Sequence, residues 1–361
     1  MKRPLELLYT ASALGRGNGE TLAALSAGVA PGMREIAGDI PGRTIWFGAV
    51  LGELPEIGEQ QWNMRANRLL ALAVNESRAR LDALVGRYGA DRVGIVLGAS
   101  NTGIDEAQRL ADAWFDAGEK PPAFDYSLIE LGTSALYLKR LLGTKGPAYV
   151  VSTACSSAAK AFGSARRLIE RGVCDVVVTG GVDGRCRFAM NGFHALGALS
   201  AGRCRPLAPD RDGINLGEGV ALFALTREEG EGGVFLAGVG ESSDAYHATA
   251  PDPEGRGAER SMRLALADAG FASADVDYVN LHGTGTLAND EMEMKAVGRL
   301  FGDAPAAKIE STKNLTGHCL GAAGAVEAAI CALYVASGRC RVALSNSFAF
   351  GGSNASVVLS A

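Results

Sequence analysis

The sequence of 361 residues is notable first for what it has little of: paired cysteines, histidines and long apolar runs. No stretch approaches the roughly 18 apolar residues of a membrane-spanning helix. The seven cysteines form no CxxC pair, which is typical of reduced thiols in the cytoplasm. A net charge of −5 gives no general attraction to nucleic acid. We therefore expect a cytoplasmic protein that binds neither membranes nor nucleic acid.

Nucleotide-binding motifs are also missing. No Walker-type GK[ST] is present, and "GINLGEG" (213–219) lacks the GxGxxG register. The opening "MKRPLELLYTASALG" has two basic residues before a short apolar segment, a pattern shared with signal peptides. We favour the alternative that this segment is a first strand and turn.

Apolar runs and helical patterns alternate along the chain. Hydrophobic residues make up 47% of the sequence and charged residues 21%, enough apolar surface for a sizeable core. The segments 92–100, 148–154 and 174–181 indicate buried strands, and 156–171 has helical spacing. This order predicts an α/β fold with a mostly parallel sheet covered by helices.

The second half repeats the plan of the first. The order of elements is the same in both halves: the first has "STAC", a helix and "CDVVVTGGVDG", and the second has "STKNLTGH", a helix and "CRVALSNSFAFGG". We expect two duplicated βαβ-rich halves, 1–230 and 231–361, with the boundary in the charged, glycine-rich "REEGEGG" (227–233).

Cys155 stands where a predicted strand meets a predicted helix. The free N–H groups and positive end of a helix favour a thiolate there, and could also hold an oxyanion. The alternative is a buried thiol that only fills space, as most free cysteines do. Residues around Cys155 leave the two interpretations about even.

Two of the four histidines, His282 and His318, lie in glycine-rich turns of the second half, "HGTGT" and "TGHCLG". Two imidazoles beside a thiol suit a reaction in which an enolate must be hydrogen-bonded. No HxH or HxxxH spacing supports the rival interpretation, a metal site, and we expect no metal.

Charged residues surround these turns. Glu327 interrupts a helix of Gly and Ala that should be buried, so it needs a partner, and Lys313 is the candidate. Asp290 and Glu293 are expected to cap the helix after "HGTGT". The aromatic–glycine loop "FAFGG" (348–352) can contribute a backbone N–H and a phenyl ring to a pocket.

Taken together, these stretches resemble the elongating β-ketoacyl-acyl-carrier-protein synthases of the thiolase-like superfamily. The matching segments are "STACSSAAKA", "DGINLGEGVALFAL", "SSDAYHATAPDPEGRG", "NLHGTGTLANDEME", "ESTKNLTGHCLGAAGAVE" and "NSFAFGGSNAS". The resemblance implies a thiolase-like fold layered α-β-α-β-α. It implies decarboxylative condensation of an acyl-enzyme with malonyl-acyl carrier protein, giving a 3-oxoacyl carrier in fatty acid or polyene synthesis.

The resemblance also assigns roles to individual residues. Cys155 would carry the acyl chain, while His282 and His318 would promote decarboxylation and stabilise the enolate. Lys313, paired with Glu327, would tune the site. Backbone N–H groups of Cys155 and Phe350 would form the oxyanion hole, with the Phe350 ring as a gate. Thr284 and Thr286 would bind the pantetheine arm; Asp290 and Glu293 would be structural.

Cofactors and partners follow from the same resemblance. No cofactor is expected, because the carrier protein brings the phosphopantetheine. A dimer is expected, either of two copies or with a chain-length-factor-like subunit, as in the aryl-polyene synthases that the sequence also resembles. Weak candidates for a basic carrier-docking patch are Arg65 with Arg68, or Lys139 with Arg140.

Two departures from the family pattern stand out. Ala349 replaces the first glycine of the usual "FGFGG", which should stiffen the gate. Only "YVASGRC" separates the Glu327 helix from the following strand, where relatives have several tens of residues. This indicates either a compact variant with an opened sheet edge or a missing segment. Alternative functions are a thiolase-like acyl-CoA acyltransferase and a non-catalytic partner subunit.

Overall fold

A computed structural model describes residues 2–228, 233–302 and 305–361. Its strands, in chain order, are β1 (Arg3–Ser12), β2 (Gly15–Arg16), β3 (Met33–Ile40), β4 (Arg43–Gly48), β5 (Val93–Gly98), β6 (Ala148–Val151), β7 (Val176–Asp183), β8 (Leu216–Gly217), β9 (Gly219–Thr226), β10 (Phe235–Ser243), β11 (Tyr278–Asn280), β12 (Lys308–Glu310), β13 (Val342–Ala349) and β14 (Ser353–Ser360). The α-helices are α1 (Asn18–Ala27), α2 (Arg65–Tyr88), α3 (Ile104–Ala117), α4 (Thr133–Leu142), α5 (Ser157–Glu170), α6 (Arg187–Ala195), α7 (Arg256–Ala269), α8 (Leu287–Phe301), α9 (Lys313–Thr316) and α10 (Ala323–Ala336). None of these helices is long and apolar enough to cross a membrane.

The order of strands in the large sheet repeats about its middle. It runs β12-β11-β13-β14-β10 and then β1-β9-β7-β5-β6. In each half-sheet the first two pairings from the centre are antiparallel and the last two are parallel. Among the described residues, the half-sheets join where Arg3 lies opposite Leu236 and Pro4 opposite Phe235, and the Leu5 N–H donates to the Val234 carbonyl. The expected duplication is therefore present in the topology, while its predicted boundary at 230 and 231 lies outside the described residues.

Helices separate and cover the two half-sheets. α5 and α10 pack between them in one apolar cluster. α2 and α4 cover the outer face of the first half-sheet, and α7 and α8 that of the second. α10 is buried on every side, which its run of small and apolar residues permits. This α-β-α-β-α layering is the thiolase-like fold that the resemblance implied.

The predicted elements differ from the observed ones mainly at glycine-rich junctions. The segment 276–286, in which the sequence indicates a strand that enters a glycine-rich turn, forms a strand only over Tyr278–Asn280. The Leu281 N–H still donates to the Glu310 carbonyl of β12, but those of His282 and Gly283 donate to the carboxylate of Glu293. The segment after "FAFGG" was not predicted as a strand, yet β14 forms the interior of the second half-sheet.

The connection from α10 to β13 spans only residues 337–341. The second half-sheet nevertheless contains the same five strands as the first and ends at β12 as the first ends at β6. The short connection thus removes no strand of the repeat, and the compact-variant interpretation is the one that fits. A separate sheet, β3-β4-β8, packs its apolar side against α6.

Candidate active site

Cys155 lies in a tight turn between β6 and α5. The preceding residue, Ala154, has a left-handed φ of 51°, which turns the chain sharply into the helix. The hydroxyl of Ser157 accepts from the Thr153 N–H at 2.8 Å and donates to the Ala154 carbonyl at 2.5 Å. These bonds fix the Cys155 side chain, which is 7% exposed, at the start of the central helix.

Two histidines from the second half face this thiol. His282 follows β11, and His318 lies in the turn between α9 and α10. One side-chain atom from each of Cys155, His282 and His318 lies within 4.8 Å of the other two. The imidazole centroids are 5.2 Å apart and their planes are nearly perpendicular, at 83°. Residues far apart in the sequence are thus brought together as expected.

The hydrogen bond to His318 determines which of its nitrogens carries a proton. Its Nδ1 accepts from the Leu320 N–H at 3.2 Å, so in the neutral ring Nε2 is protonated. That Nε2 is buried and has no hydrogen-bond partner among the described residues, and the same holds for Nδ1 of His282. The site therefore holds polar ring atoms that only a bound molecule or water can satisfy.

Burial controls the protonation of the thiol and both imidazoles. Desolvation, followed by the positive charge of Lys313, lowers the pKa of His282 and His318 well below the usual value, so both are neutral at pH 7. Desolvation raises the pKa of Cys155 to about 12, although Lys313 opposes this. The favourable end of the helix therefore does not make Cys155 a thiolate, because the loss of water on burial has the larger effect on its pKa.

We expect alkylation of Cys155 by iodoacetamide to be slow at pH 7 and to rise about tenfold per pH unit up to pH 10, since only the thiolate reacts. Peptide mass spectrometry measures the modification at this residue, with Cys155→Ser as the blank. A rate that levels off near pH 7 would show a stabilised thiolate and contradict the raised pKa.

Lys313 and Glu327 form the buried ion pair expected from the sequence. Their side chains are 1% and 2% exposed, and Nζ contacts Oε1 directly. Burial raises the pKa of Glu327 to about 7, and the ammonium group opposes this rise. The pair places the positive charge of Lys313 near the thiol and both imidazoles, and the carboxylate of Glu327 compensates that charge.

Replacing Glu327 with alanine should lower the free energy of unfolding by about 3–5 kcal/mol, because it leaves a buried ammonium without a partner. The double variant Lys313→Met/Glu327→Leu should recover most of this loss yet remain inactive, since the histidines lose the nearby charge. Urea denaturation monitored by circular dichroism measures the first effect. Equal stability of the single and double variants would contradict it.

Asp290 and Glu293 do not cap α8 as expected. Glu293 accepts from the N–H groups of His282 and Gly283 at 2.8 and 2.7 Å. Asp290 accepts from the N–H groups of Gly285 and Leu207 at 3.2 and 2.8 Å. The free N–H groups that these carboxylates satisfy belong to the preceding loop rather than to the first turn of the helix, so both residues hold the loop that carries His282.

A cavity of about 260 Å³ opens onto the three side chains. Thr284 and Thr286 line one side, with their hydroxyl oxygens 3.0 Å apart. Phe350, 39% exposed, also lines the cavity and stacks on Phe193 with ring centroids 5.7 Å apart. All the residues assigned to the oxyanion hole, gate and pantetheine site thus border one cavity.

The apolar wall of the cavity was not predicted from the sequence. It is formed by Phe193, Leu196, Ala198 and Ile214, on α6 and the segment that follows it. The short apolar pattern "NGFHALGALS" (191–200) contains the first three of these residues, but it resembles that of any amphipathic helix and turn, and Ile214 lies outside it.

The basic residues considered for carrier docking are all engaged elsewhere. Arg65 pairs with the buried Glu218, and Arg140 pairs with Glu59. Arg68 donates to the carbonyl oxygens of Leu54 and Pro55 at 2.9 and 3.0 Å, and Lys139 donates to that of Gly146 at 3.0 Å. Carboxylates therefore compensate the charges of Arg65 and Arg140, whereas Arg68 and Lys139 pair only with neutral carbonyl groups. A basic docking patch at these positions stays a prediction.

The spacing of Cys155, His282 and His318 is also compatible with a metal ion. The ammonium group of Lys313 lies near both imidazoles and opposes this, because it would repel a second cation. A protonated thiol with a pKa of about 12 is also a poor ligand. The electrostatics of the site favour acyl chemistry over metal binding.

Comparison with known proteins agrees with this chemistry. The family models described as the N-terminal and C-terminal domains of β-ketoacyl synthase match residues 66–230 and 234–344. A 3-oxoacyl-[acyl-carrier-protein] synthase 2 from Rhizobium meliloti (strain 1021) is 39% identical over 314 residues, 74% of this chain and 73% of the relative. Nodulation protein E from Rhizobium meliloti is 35% identical over 326 residues, covering 81% of both proteins.

A solved structure matches along nearly the whole chain. It is that of the ketosynthase ApeO in complex with its chain length factor ApeC, from Xenorhabdus doucetiae. The match has a TM-score of 0.92 and 37% identity, and covers 99% of this chain and 98% of the other. Because the match covers nearly all of both chains, the two chains are similar in length. With its thiol, two imidazoles and apolar cavity, this chain belongs to the β-ketoacyl synthase family of condensing acyltransferases.

Proposed function

We propose that the protein joins an acyl chain to malonyl-acyl carrier protein with loss of CO₂, giving a 3-oxoacyl carrier. The observation that carries this proposal is the Cys155 thiol beside two neutral imidazoles at one apolar cavity. Decarboxylation generates the carbon nucleophile, so the site needs to stabilise charge rather than supply a strong base.

In the first half-reaction the sulfur of Cys155 attacks the thioester carbon of the acyl carrier. The thiol proton passes to His282, whose ring has no hydrogen bond to another described residue, and then to the departing pantetheine sulfur. The acyl chain is then held as a thioester on Cys155, and the carrier leaves with a free thiol.

In the second half-reaction the malonyl carrier loses CO₂, and the two electrons of the broken C–C bond form an enolate. The protonated Nε2 of His318 donates to the enolate oxygen, and the His282 ring is placed to do the same. The enolate carbon attacks the acyl thioester, a C–C bond forms and the sulfur of Cys155 leaves as a thiolate, which takes up a proton from solvent to restore the thiol.

The oxyanion hole of both steps is assigned to the backbone N–H groups of Cys155 and Phe350. The Phe350 ring, stacked on Phe193, would swing aside for acyl chains to enter. Ala349 has a φ of −121°, so its side chain causes no strain, but it narrows the conformational range of the loop compared with glycine.

The surrounding residues would position substrate and catalytic groups. Thr284 and Thr286 would donate to the pantetheine arm in the cavity. Asp290 and Glu293 hold the loop that carries these threonines. Lys313, paired with Glu327, would keep both imidazoles neutral.

Acyl carrier protein is the proposed source of both substrates, and its phosphopantetheine arm replaces any cofactor bound to this chain. We propose a dimer, with a chain-length-factor-like subunit as the favoured partner and a second copy as the alternative. The match to the ApeO–ApeC complex supports the former and an assignment to the aryl-polyene type. Seven free cysteines support a reducing, cytoplasmic location.

The test is to incubate the purified protein with acyl carriers of graded length and malonyl carrier, and to read the products by intact mass. We expect 3-oxoacyl carriers whose yield depends on chain length, and cerulenin attached to Cys155. Condensation of acyl-CoA with equal efficiency would instead favour a thiolase-like enzyme. Absence of both product and adduct, alone and with an added partner, would indicate a non-catalytic subunit.

A further inference from the structure

The turn before α10 corresponds in the second half to the turn that carries Cys155. Each turn contains a non-glycine residue in the left-handed region, Ala154 and Leu320, both with φ of 51°. Each of these residues is three positions before the start of its helix, α5 or α10. By this correspondence Gly321 is the counterpart of Cys155.

The carboxylate of Asp183 occupies the space beside Gly321. A Cβ added to Gly321 would lie 2.6 Å from Asp183 Oδ2. Asp183 ends β7 and is fully buried, and it accepts from the Ser100 N–H and hydroxyl at 3.0 and 2.8 Å and from the Asn101 N–H at 2.8 Å. A carboxylate from β7 of the first half therefore lies beside the position in the second half that corresponds to the thiol.

Ser100 links this carboxylate to the active site. Its hydroxyl donates to Asp183 and accepts from the Gly321 N–H at 3.3 Å. The adjacent Leu320 keeps a backbone conformation that is unfavourable for leucine, which persists only where the surroundings hold it. In that conformation its N–H points to Nδ1 of His318.

We propose that Asp183 is a positioning residue for His318: through Ser100 and Gly321 it holds the turn at Leu320, whose N–H fixes the tautomer of the imidazole. The expected effect on catalysis rests on the proposed function, whereas the expected effect on the tautomer of the His318 imidazole does not. With the turn held, Nε2 carries the proton at the site. With the turn released, Nδ1 loses its donor and the proton is shared between the two nitrogens.

An ionised carboxylate suits this arrangement, because it only accepts hydrogen bonds and every neighbour donates. Burial raises the pKa of Asp183 to about 6, while the bonds from Ser100, Asn101 and Gly321 oppose this rise. Asparagine has the same shape but presents an NH₂ group to donors. Asp183→Asn therefore disturbs the hydrogen bonds without opening a cavity.

The experiment compares Asp183→Asn and Ser100→Ala with Asp175→Asn. Asp175 directly precedes β7, so it lies about 26 Å from Asp183 at the other end of the same strand, where it pairs with Arg92 and Arg227. Labelling histidine with ¹⁵N reports the tautomer of His318, whose signal is identified by its loss in His318→Ala. The turnover number and KM for malonyl-carrier decarboxylation are measured on the same samples.

We expect Asp183→Asn to lower the decarboxylation turnover at least about tenfold with little change in KM, and to shift the His318 ¹⁵N signals towards mixed tautomers. Ser100→Ala should act in the same direction but less strongly, and it serves if Asp183→Asn does not fold. Asp175→Asn should affect stability alone. A single, unchanged tautomer in the folded variants would overturn the inference, whereas an inactive wild type with the expected tautomer shift would overturn only the proposed function.

Discussion

Replacing Cys155 with glutamine is expected to abolish condensation, lowering its rate by at least about 10³-fold, because no acyl-enzyme can form. Decarboxylation of malonyl carrier should continue, since His282 and His318 remain and the amide can stand in for the acyl thioester. Intact mass spectrometry distinguishes the two reactions: the acetyl carrier accumulates while the 3-oxoacyl product is absent.

Cys340→Ala is the matched control for this variant. Cys340 is also buried and free, but it lies beside β13, outside the cavity. Its replacement should leave condensation unchanged. Condensation by Cys155→Gln at more than a trace of the wild-type rate would refute the assignment of Cys155 as the nucleophile.

Replacing His318 with alanine is expected to remove malonyl decarboxylation, with a loss of about 10²–10⁴-fold, the usual contribution of a positioned acid or hydrogen-bond donor. The lost group is the Nε2–H, the donor left without a partner in the cavity. Release of CO₂ from labelled malonyl carrier measures the effect without requiring an acyl substrate.

His194→Ala provides the comparison, because His194 is exposed and contacts Arg43 rather than the cavity. It should decarboxylate at the wild-type rate. If His318→Ala released CO₂ at that same rate, the enolate would have to be stabilised by other groups, and the assigned role would be wrong.

The clustering of the three candidate reacting side chains could be predicted from the sequence, because each stands in a short motif at a strand–helix junction. Cys155, His282 and His318 lie within such motifs, and the topology brings those junctions to one place. The partner of Glu327 was also predictable, because a carboxylate in a helix of Gly and Ala must be buried with a cation.

Their protonation could not be predicted in the same way. The helix N-terminus at Cys155 favoured a thiolate, but the raised pKa results from the burial of the whole site, which depends on packing between the halves. Similarly, Arg65 and Arg140 appear as free charges in the sequence, and only the fold shows that Glu218 and Glu59 neutralise them.

The role of Asp183 had no signal in the sequence at all. It ends an apolar strand, where an aspartate is an ordinary turn residue. The role of Asp183 is inferred from a comparison of the turns at Ala154 and Leu320, which share a backbone conformation but not a sequence. Relations of this kind become visible only once the repeat of the sheet is known.

The position of β14 has a consequence for how the protein reaches its active form. This strand follows every other described strand in sequence order, yet it lies between β13 and β10 in the interior of the sheet. During synthesis the second half-sheet cannot be completed until β14 has been made. The first half, which contains Cys155, can fold before that point. The thiol is therefore synthesised early, whereas His282, His318 and Phe350 join it only after most of the second half has been made.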